Sequence, residues 1–224
     1  MSLMEFASSD YVKHPGDGKL MAHVSEGIFL SGEDDDPVWV DEFHSDTFPT
    51  TDADYARFCA ATRPPAPEHW ENSRCPRNLY DHPVVHVTWR DSHAYAMWAG
   101  KSLPTAEQWE KAARGTTGRT FPWGDQKTAT KCNVRETGVE HTTSASRDHS
   151  GVSPYGVYDM VGNVWEWLAT ATTRGRYDLR GSAFTSPLFR GAPAISNDAN
   201  EVMHDDDTGF RCAATPEQME PRKP

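Results

Sequence analysis

The residues best suited to metal chemistry lie between Asp159 and Trp167. Asp159 and Glu166 flank a bend that includes Gly162, and main-chain carbonyls lie between the two carboxylates. Ca²⁺ prefers six to eight hard oxygen ligands, and such a bend offers side-chain and main-chain oxygens together. The alternative is that both carboxylates accept hydrogen bonds within turns or helix caps.

The four cysteines are far apart in the sequence and form no C-x-x-C pair. The first residues show no basic stretch followed by an apolar one, so we expect no secretory signal and a cytoplasmic location. Cysteines in that compartment are typically reduced. We therefore predict structural thiols at Cys59, Cys75, Cys132 and Cys212.

Other polar groups offer weaker starting points. Ser182 has no histidine and aspartate at a readable spacing, which disfavours a hydrolase triad. The acidic run Asp205–Asp207 is predicted to be a solvated loop, with cation binding as the alternative.

Helices and strands must position these groups, and the sequence marks several of them. Thr51 with Asp54, and Thr105 with Gln108, form capping boxes that predict helix starts. The first helix should end before Pro64, because proline restricts the preceding residue. Further predicted elements are strands at 21–30, 38–43 and 83–89, a helix at 91–99, a helix ending at Gly115, and little regular structure between 115 and 157.

The composition limits the function. Lys and Arg number 22 against 33 Asp and Glu, which gives a net charge of −11. That charge disfavours nucleic acid and anionic membranes as partners. Hydrophobic residues make up only 37%, but eight Trp, seven Tyr and nine Phe can build an aromatic core. We predict an irregular segment at 1–20, one loop-rich domain at 21–214 and a tail at 215–224.

Three stretches of the sequence resemble one known family. The first joins Pro-Val-Val-His-Val-Thr-Trp at 83–89 to residues 94–115, the second is Phe-Pro-Trp-Gly-Asp at 121–125, and the third runs over 153–167. Arg-Gly-Ser at 180–182 and Thr-Gly-Phe-Arg-Cys-Ala at 208–213 follow them. This series resembles the formylglycine-generating enzymes, or sulfatase-modifying factors, from about residue 24 to 214. The resemblance implies an α+β, elaborated C-type-lectin-like fold with little regular secondary structure.

The resemblance also implies two structural calcium sites. Each would combine side-chain oxygens with main-chain carbonyls, as Ca²⁺ requires. A solvated polar loop is the alternative for the second site. The first set is Asp159, Gly162, Val164 and Glu166, and the second is Asn133, Val134, Glu136 and Val139.

A missing pair of residues restricts the chemistry. Family members that oxidise a substrate cysteine to formylglycine hold copper(I) with two thiolates shortly after the Gly-Ser strand, because soft thiolates suit that ion. Residues 181–191 contain no cysteine here, and Thr185 stands where the first would fall. We therefore do not expect copper or its oxidation chemistry. The same segment is predicted to line a cleft for a peptide or small molecule, through Ser182, Phe184, Thr185, Ser186, Phe189 and Arg190.

Two alternatives to this cleft remain open. One is a lectin-like ligand-binding protein, such as the variable proteins diversified by retroelements. The other is a non-heme iron oxidase resembling sulfoxide synthases, whose ligands follow an H-x-x-x-H-x-E pattern. His82 and His86 have the first spacing, but Thr88 replaces the carboxylate, and we predict that His86 is a core residue. Whether the chain is an enzyme, or pairs with a partner protein, stays undecided.

Overall fold

The part of the chain that the structure describes contains three α-helices, each begun by a threonine cap. The computed structural model describes residues 11–145 and 149–221. The helices are α1 (Asp52–Thr62), α2 (Trp89–Ala99) and α3 (Ala106–Arg114). The capping boxes predicted at Thr51 and Thr105 are confirmed. A third box at Thr88 starts α2 two residues earlier than predicted, because Asp91 accepts a hydrogen bond from the Thr88 N–H.

Short strands form three separate sheets. The first has the order β1 (Tyr11–Lys13), β2 (Leu20–Val24), β5 (Phe43–Asp46) and β10 (Ala213–Ala214). A hairpin joins β3 (Gly27–Ser31) to β4 (Asp36–Val40). The third has the order β8 (Asn197–Asn200), β7 (Arg176–Arg180), β6 (Trp165–Thr173) and β9 (Thr208–Gly209), with β9 parallel to β6. This mixture of helices and mostly antiparallel sheets confirms the predicted α+β class.

Several predicted boundaries are wrong. The single strand at 21–30 is two strands that belong to different sheets. Residues 83–89 form no strand beyond one bridge between Pro83 and Thr51. Residues 11–13, predicted to be irregular, pair with β2, and the Tyr11 hydroxyl donates a hydrogen bond to the Gly156 carbonyl, 3.2 Å away. The rest of the irregular segment, residues 1–10, and residues 222–224 of the tail lie outside the described residues.

Aromatic side chains fill the core, as the composition predicted. Trp109, Trp167, Tyr55 and Tyr95 are among its fully buried side chains. The Trp167 indole donates a hydrogen bond to the Val87 carbonyl (3.0 Å), which ties β6 to the start of α2. Between 115 and 157, the described residues contain short 3₁₀ turns as their regular structure, which confirms the loop-rich prediction. None of the described helices is long and apolar enough to cross a bilayer.

Candidate functional site

The segment 159–166 turns sharply against the loop at 133. Asp159, Gly162 and Asn163 have positive φ angles of 55°, 78° and 67°. A Cβ on Gly162 would lie 2.3 Å from the Asn133 carbonyl oxygen, so no side chain fits there. The structure therefore places the two predicted calcium segments side by side.

The Asn163 side chain joins these segments and is fully buried. Its oxygen accepts hydrogen bonds from the Thr143 N–H (2.8 Å) and from the Asn133 amide (3.3 Å). Its NH₂ group donates to the Thr143 carbonyl (3.1 Å) and to the Asp159 carboxylate (3.0 Å). Asn163 thus brings Asn133 and Asp159 into one polar cluster, although the sequence analysis did not name it.

Glu166, by contrast, belongs to a buried ion pair. Arg211 donates two hydrogen bonds of 2.7 Å to its carboxylate, and the Trp109 indole donates a third, also of 2.7 Å. Glu166 and Arg211 are both completely buried. Bidentate contact with an arginine is the strongest arrangement a carboxylate can make with a side chain. The carboxylate predicted as a calcium ligand is therefore held by Arg211.

The second predicted calcium set is similarly occupied. The Val134 carbonyl accepts hydrogen bonds from the N–H (2.9 Å) and the hydroxyl (2.6 Å) of Thr137. The Glu136 carboxylate accepts the Leu188 N–H at 3.0 Å. Val139 is half-buried in the loop that follows. Glu136 therefore anchors the predicted cleft segment.

These contacts decide how well the residues suit a cation. Within residues 11–145 and 149–221, no group of three or more His, Cys, Asp or Glu side chains is placed to hold a metal ion. Asp159 and the nearby main-chain oxygens have the donor chemistry that calcium prefers. Glu166 does not fit, because its oxygens already bind a guanidinium group.

The predicted cleft segment starts with strained backbone. Gly181 and Ser182 follow β7 with φ angles of 93° and 68°. Ser182 is fully buried, and its hydroxyl has no hydrogen-bond partner among the described residues. A serine in the left-handed region costs about 1–3 kcal/mol, and such strain concentrates at functional sites. Ser182 therefore forms the base of the segment and does not face solvent.

The rest of the segment divides between core and surface. Phe184 is buried, Ser186 and Arg190 are half-buried, and Thr185 is exposed. Phe189 is 66% exposed. Of the predicted cleft residues, Thr185 and Phe189 are therefore on the surface, Ser186 and Arg190 are partly accessible, and Ser182 and Phe184 are in the interior.

Arg190 and Thr185 each make one side-chain contact outside the segment. The Arg190 guanidinium carbon lies 5.6 Å from the centroid of the buried Trp165 ring. The Thr185 hydroxyl donates to the carboxylate of Asp207. Burial raises the pKa of Asp207, and hydrogen bonds from Thr185 and Thr208 oppose that shift. Asp205 and Asp206 are exposed, as predicted for a solvated acidic loop. Asp207 is half-buried and contacts the cleft segment through Thr185.

The cysteines lie away from this segment in the sequence and differ in burial. Cys132 and Cys212 are buried, and Cys59 and Cys75 are half-buried. Burial holds the pKa of Cys212 far above its usual range. The structural role predicted for Cys212 therefore agrees with a protonated core thiol.

A histidine pair near α1 was not predicted. The buried Asp52 accepts hydrogen bonds from the Trp70 indole (2.6 Å) and from His69 Nε2 (2.9 Å). The His69 ring lies 5.5 Å from the ring of His86. His86 is half-buried at a φ of 56°, so it is only partly the core residue predicted. Its partner lies far from it in the sequence, and no local pattern indicated the pair.

The helices, sheets and loops described above form a C-type-lectin-like fold of the formylglycine-generating-enzyme type, and this fold defines the class of protein. PvdO from Pseudomonas aeruginosa has this fold with a TM-score of 0.74 at 21% identity, over 91% of this chain and 97% of that chain. Variable protein 1 of Treponema denticola gives a TM-score of 0.72 at 16% identity, over 88% of this chain and 95% of that one. These likenesses confirm the predicted fold.

The sequence then assigns the family. Residues 8–216 match the sulfatase-modifying factor enzyme 1-like domain, and the chain belongs to this family. The chain is 36% identical over 163 residues to the inactive C-alpha-formylglycine-generating enzyme 2 of Bos taurus, a match that covers 62% of this chain and 52% of that protein. The chain thus spans about half the length of this relative.

Proposed function

We propose that this chain is a ligand-binding homologue of the formylglycine-generating enzymes that does not oxidise cysteine by the copper route. The observation that carries the proposal is the absence of cysteine from residues 181–191. The Thr185 hydroxyl at the first expected position is a hard donor, and it already binds Asp207. Copper(I) needs soft thiolates, which this segment cannot supply.

The exposed part of the segment suits a peptide or a small molecule. Phe189 offers an exposed ring, and Arg190 offers a guanidinium group held over Trp165. Aromatic and arginine side chains supply much of the binding energy at protein interfaces. Asp205 and Asp206 add negative charge next to Asp207, which suits a ligand that carries a basic group.

The relative in Bos taurus supports the same proposal. Its name describes it as inactive, and its match to this chain includes more than half of the residues here. A partner protein that supplies further groups is part of the proposal.

A peptide assay tests the loss of chemistry. The purified protein is incubated with copper(I) and a Cys-x-Pro-x-Arg peptide, the substrate type that the family resemblance implies. We expect the peptide to bind, and its thiol to remain unchanged by mass spectrometry. Conversion of the thiol to an aldehyde would overturn the proposal. Elemental analysis of the purified protein for copper and iron provides the matched control, because stoichiometric iron would favour the alternative oxidase.

We also propose that calcium stabilises the fold near Asp159 and that Glu166 is not a ligand. The groups that support this are the Asp159 carboxylate and the Val164 carbonyl, whereas the Gly162 carbonyl already accepts the Val164 N–H at 2.9 Å. The two parts of the proposal are separable, because Asp159→Asn removes a candidate ligand, whereas Glu166→Gln changes the contacts with Arg211 and Trp109 and leaves Asp159 in place.

Thermal unfolding with and without calcium distinguishes these residues. Calcium should raise the melting temperature of the wild type, because an ion that binds only the folded state stabilises it. Asp159→Asn should abolish the increase. Glu166→Gln should lower the melting temperature and retain the increase. An increase that survives Asp159→Asn, or none in the wild type, would contradict the proposal.

The lectin-like alternative also has one observation in its favour. The fold of variable protein 1 from Treponema denticola covers 88% of this chain. The diversified stretches of such variable proteins carry many positions derived from asparagine after a Gly-Ser-Trp start, whereas in segment 181–191 Ala183 follows Ser182 and no asparagine is present. Both hypotheses predict that a ligand binds to segment 181–191. We favour the ligand-binding homologue of the formylglycine-generating enzymes over the lectin-like variable protein.

A further inference from the structure

A second cavity lies between helix α1 and the loop that follows it. It has a volume of about 690 Å³, within the usual range for small-molecule sites. None of its lining residues belongs to segment 182–190, so it is independent of the function proposed above. Its lining divides into an apolar floor, made by Ala56, Cys59, Ala66, Trp70 and Cys75, and a polar rim, made by Arg63, Ser73, Arg74, Arg77 and Tyr80.

The three arginines on the rim are exposed. No carboxylate within the described residues lies within salt-bridge distance of Arg63, Arg74 or Arg77. The chain has 33 acidic residues and a net charge of −11, so counter-charges are abundant elsewhere. Other arginines use them: Arg57, Arg90, Arg114, Arg176, Arg180 and Arg211 each pair with a carboxylate.

The backbone holds these arginines at some cost. Arg63 caps α1 in the left-handed conformation, at a φ of 58°, a position that glycine usually occupies. Arg74 closes a tight turn in which Asn72 and Ser73 have φ angles of 50° and 58°, and its N–H donates to the Glu71 carbonyl at 2.9 Å. Strain of this kind persists where the surroundings enforce it, and it concentrates at ligand sites.

The floor of the cavity is rigid and uncharged. The Trp70 indole is fixed by its hydrogen bond of 2.6 Å to the buried Asp52, and its ring meets the Tyr55 ring edge-on at 6.2 Å. Burial raises the pKa of Cys59 to about 11 and that of Cys75 to about 12. Both thiols are therefore neutral near pH 7 and do not repel an anion.

We propose that this cavity binds a small organic acid, whose apolar body rests on Trp70 while its carboxylate or phosphate pairs with Arg74 and Arg77. A guanidinium group presents its N–H donors in a plane that matches carboxylate and phosphate oxygens. The apolar floor selects against inorganic anions, and the unpaired arginines select against neutral molecules.

Isothermal titration with three probes tests the proposal. The probes are 2-naphthoate, 2-naphthyl phosphate and the neutral 2-naphthalenemethanol. We expect both acids to bind at least about tenfold more tightly than the alcohol, which corresponds to about 1.4 kcal/mol. Weaker binding in high salt should accompany this preference. Equal binding of the alcohol, or no binding of either acid, would overturn the proposal.

Variants locate the binding site. Arg74→Gln and Arg77→Gln should each weaken the binding of the acids about tenfold, whereas Arg174→Gln, at an exposed arginine outside the cavity, should not. Alkylation of Cys59 and Cys75, followed by peptide mapping, gives a second readout. Bound acid should slow their modification, and modification that is indifferent to the acid would contradict the location. None of the cavity residues lies in segment 182–190. If no acid binds to the cavity, the proposed function is therefore unaffected, and a failure of the peptide test leaves the cavity proposal unaffected.

Discussion

Two regions of this chain carry the predicted metal-ligating and ligand-binding residues, and they differ in burial. At Glu166, an acidic residue, an arginine and a tryptophan are sealed together in the core. In segment 181–191, the Phe189 ring is exposed, and Arg190 is half-buried, as is the nearby Asp207 carboxylate. A charged group that is buried and fully paired is committed to its partner in the folded state, because separating the two is costly. A charged group that solvent can reach remains able to contact a ligand.

The Glu166 region should respond most strongly to substitution. Glu166→Gln removes the charge opposite the buried guanidinium of Arg211, and breaking such a pair from one side costs about 3–5 kcal/mol. Urea unfolding monitored by tryptophan fluorescence measures the loss. Glu201→Gln provides the control, because its partner Arg90 is exposed, and it should stay close to wild type. A small effect at Glu166 would remove the contrast between the regions.

The sequence indicated this pair only in part. Glu166 lies between two tryptophans, a setting typical of the core, and Arg211 lies in the Thr-Gly-Phe-Arg-Cys-Ala motif at 208–213. An unpaired buried arginine needs a carboxylate, so the two residues together contained the signal. Glu166 was instead predicted to be a calcium ligand, because the family resemblance implies that role and because Arg211 is distant from Glu166 in the sequence.

The helix starts were more predictable than the sheets. Capping boxes are local, and both predicted boxes are present. The strands at 21–30 and 83–89 were wrong, because membership in a sheet depends on partners far away in the sequence. The same reason explains why the polar cluster around Asn163 and the histidine pair His69–His86 escaped notice.

Substitution of the buried Lys101 should lower the free energy of unfolding less than Glu166→Gln does, and it should also change how that free energy depends on pH. Lys101 donates hydrogen bonds to Asp46 (2.6 Å) and Asp17 (2.8 Å), and all three side chains are buried. Lys101→Met should cost about 3 kcal/mol at pH 7, somewhat less than Glu166→Gln because Lys19 still lies 3.4 Å from Asp46.

The pH dependence follows from Asp17. Burial alone would raise its pKa, but a hydrogen bond from His14 and the charge of Lys101 hold that pKa well below its usual range. The folded state therefore binds fewer protons than the unfolded state, and the stabilisation is present above about pH 4 and decreases as the pH falls. Urea unfolding between pH 3 and 7 should show a shallower acid loss in Lys101→Met. An identical slope would mean that Lys101 does not set the pKa of Asp17.

A helix cap should give an intermediate effect. Thr105 accepts the Gln108 N–H at 3.2 Å, and Gln108 accepts the Thr105 N–H at 2.9 Å. Thr105→Ala should reduce the free energy of unfolding by about 1 kcal/mol. Thr116→Ala, at an exposed threonine just after α3, should have no measurable effect on the same urea curve. Equal losses in the two variants would show that the cap contributes nothing specific.

The smallest effect on stability is expected in the exposed segment, where the effect on binding should be greatest. Arg190→Gln removes a half-buried guanidinium group that lies over Trp165 and has no carboxylate partner among the described residues, and substitutions away from buried networks usually change stability by less than about 0.5 kcal/mol. Binding of a fluorescent Cys-x-Pro-x-Arg peptide, measured by polarisation, should nevertheless weaken, as it should in Phe189→Ser. Arg174→Gln should bind like wild type. If Arg190→Gln instead lowered the free energy of unfolding as much as Glu166→Gln and left the peptide affinity of the folded protein unchanged, segment 181–191 would be structural in the same sense as Glu166, and the distinction between the two regions would disappear.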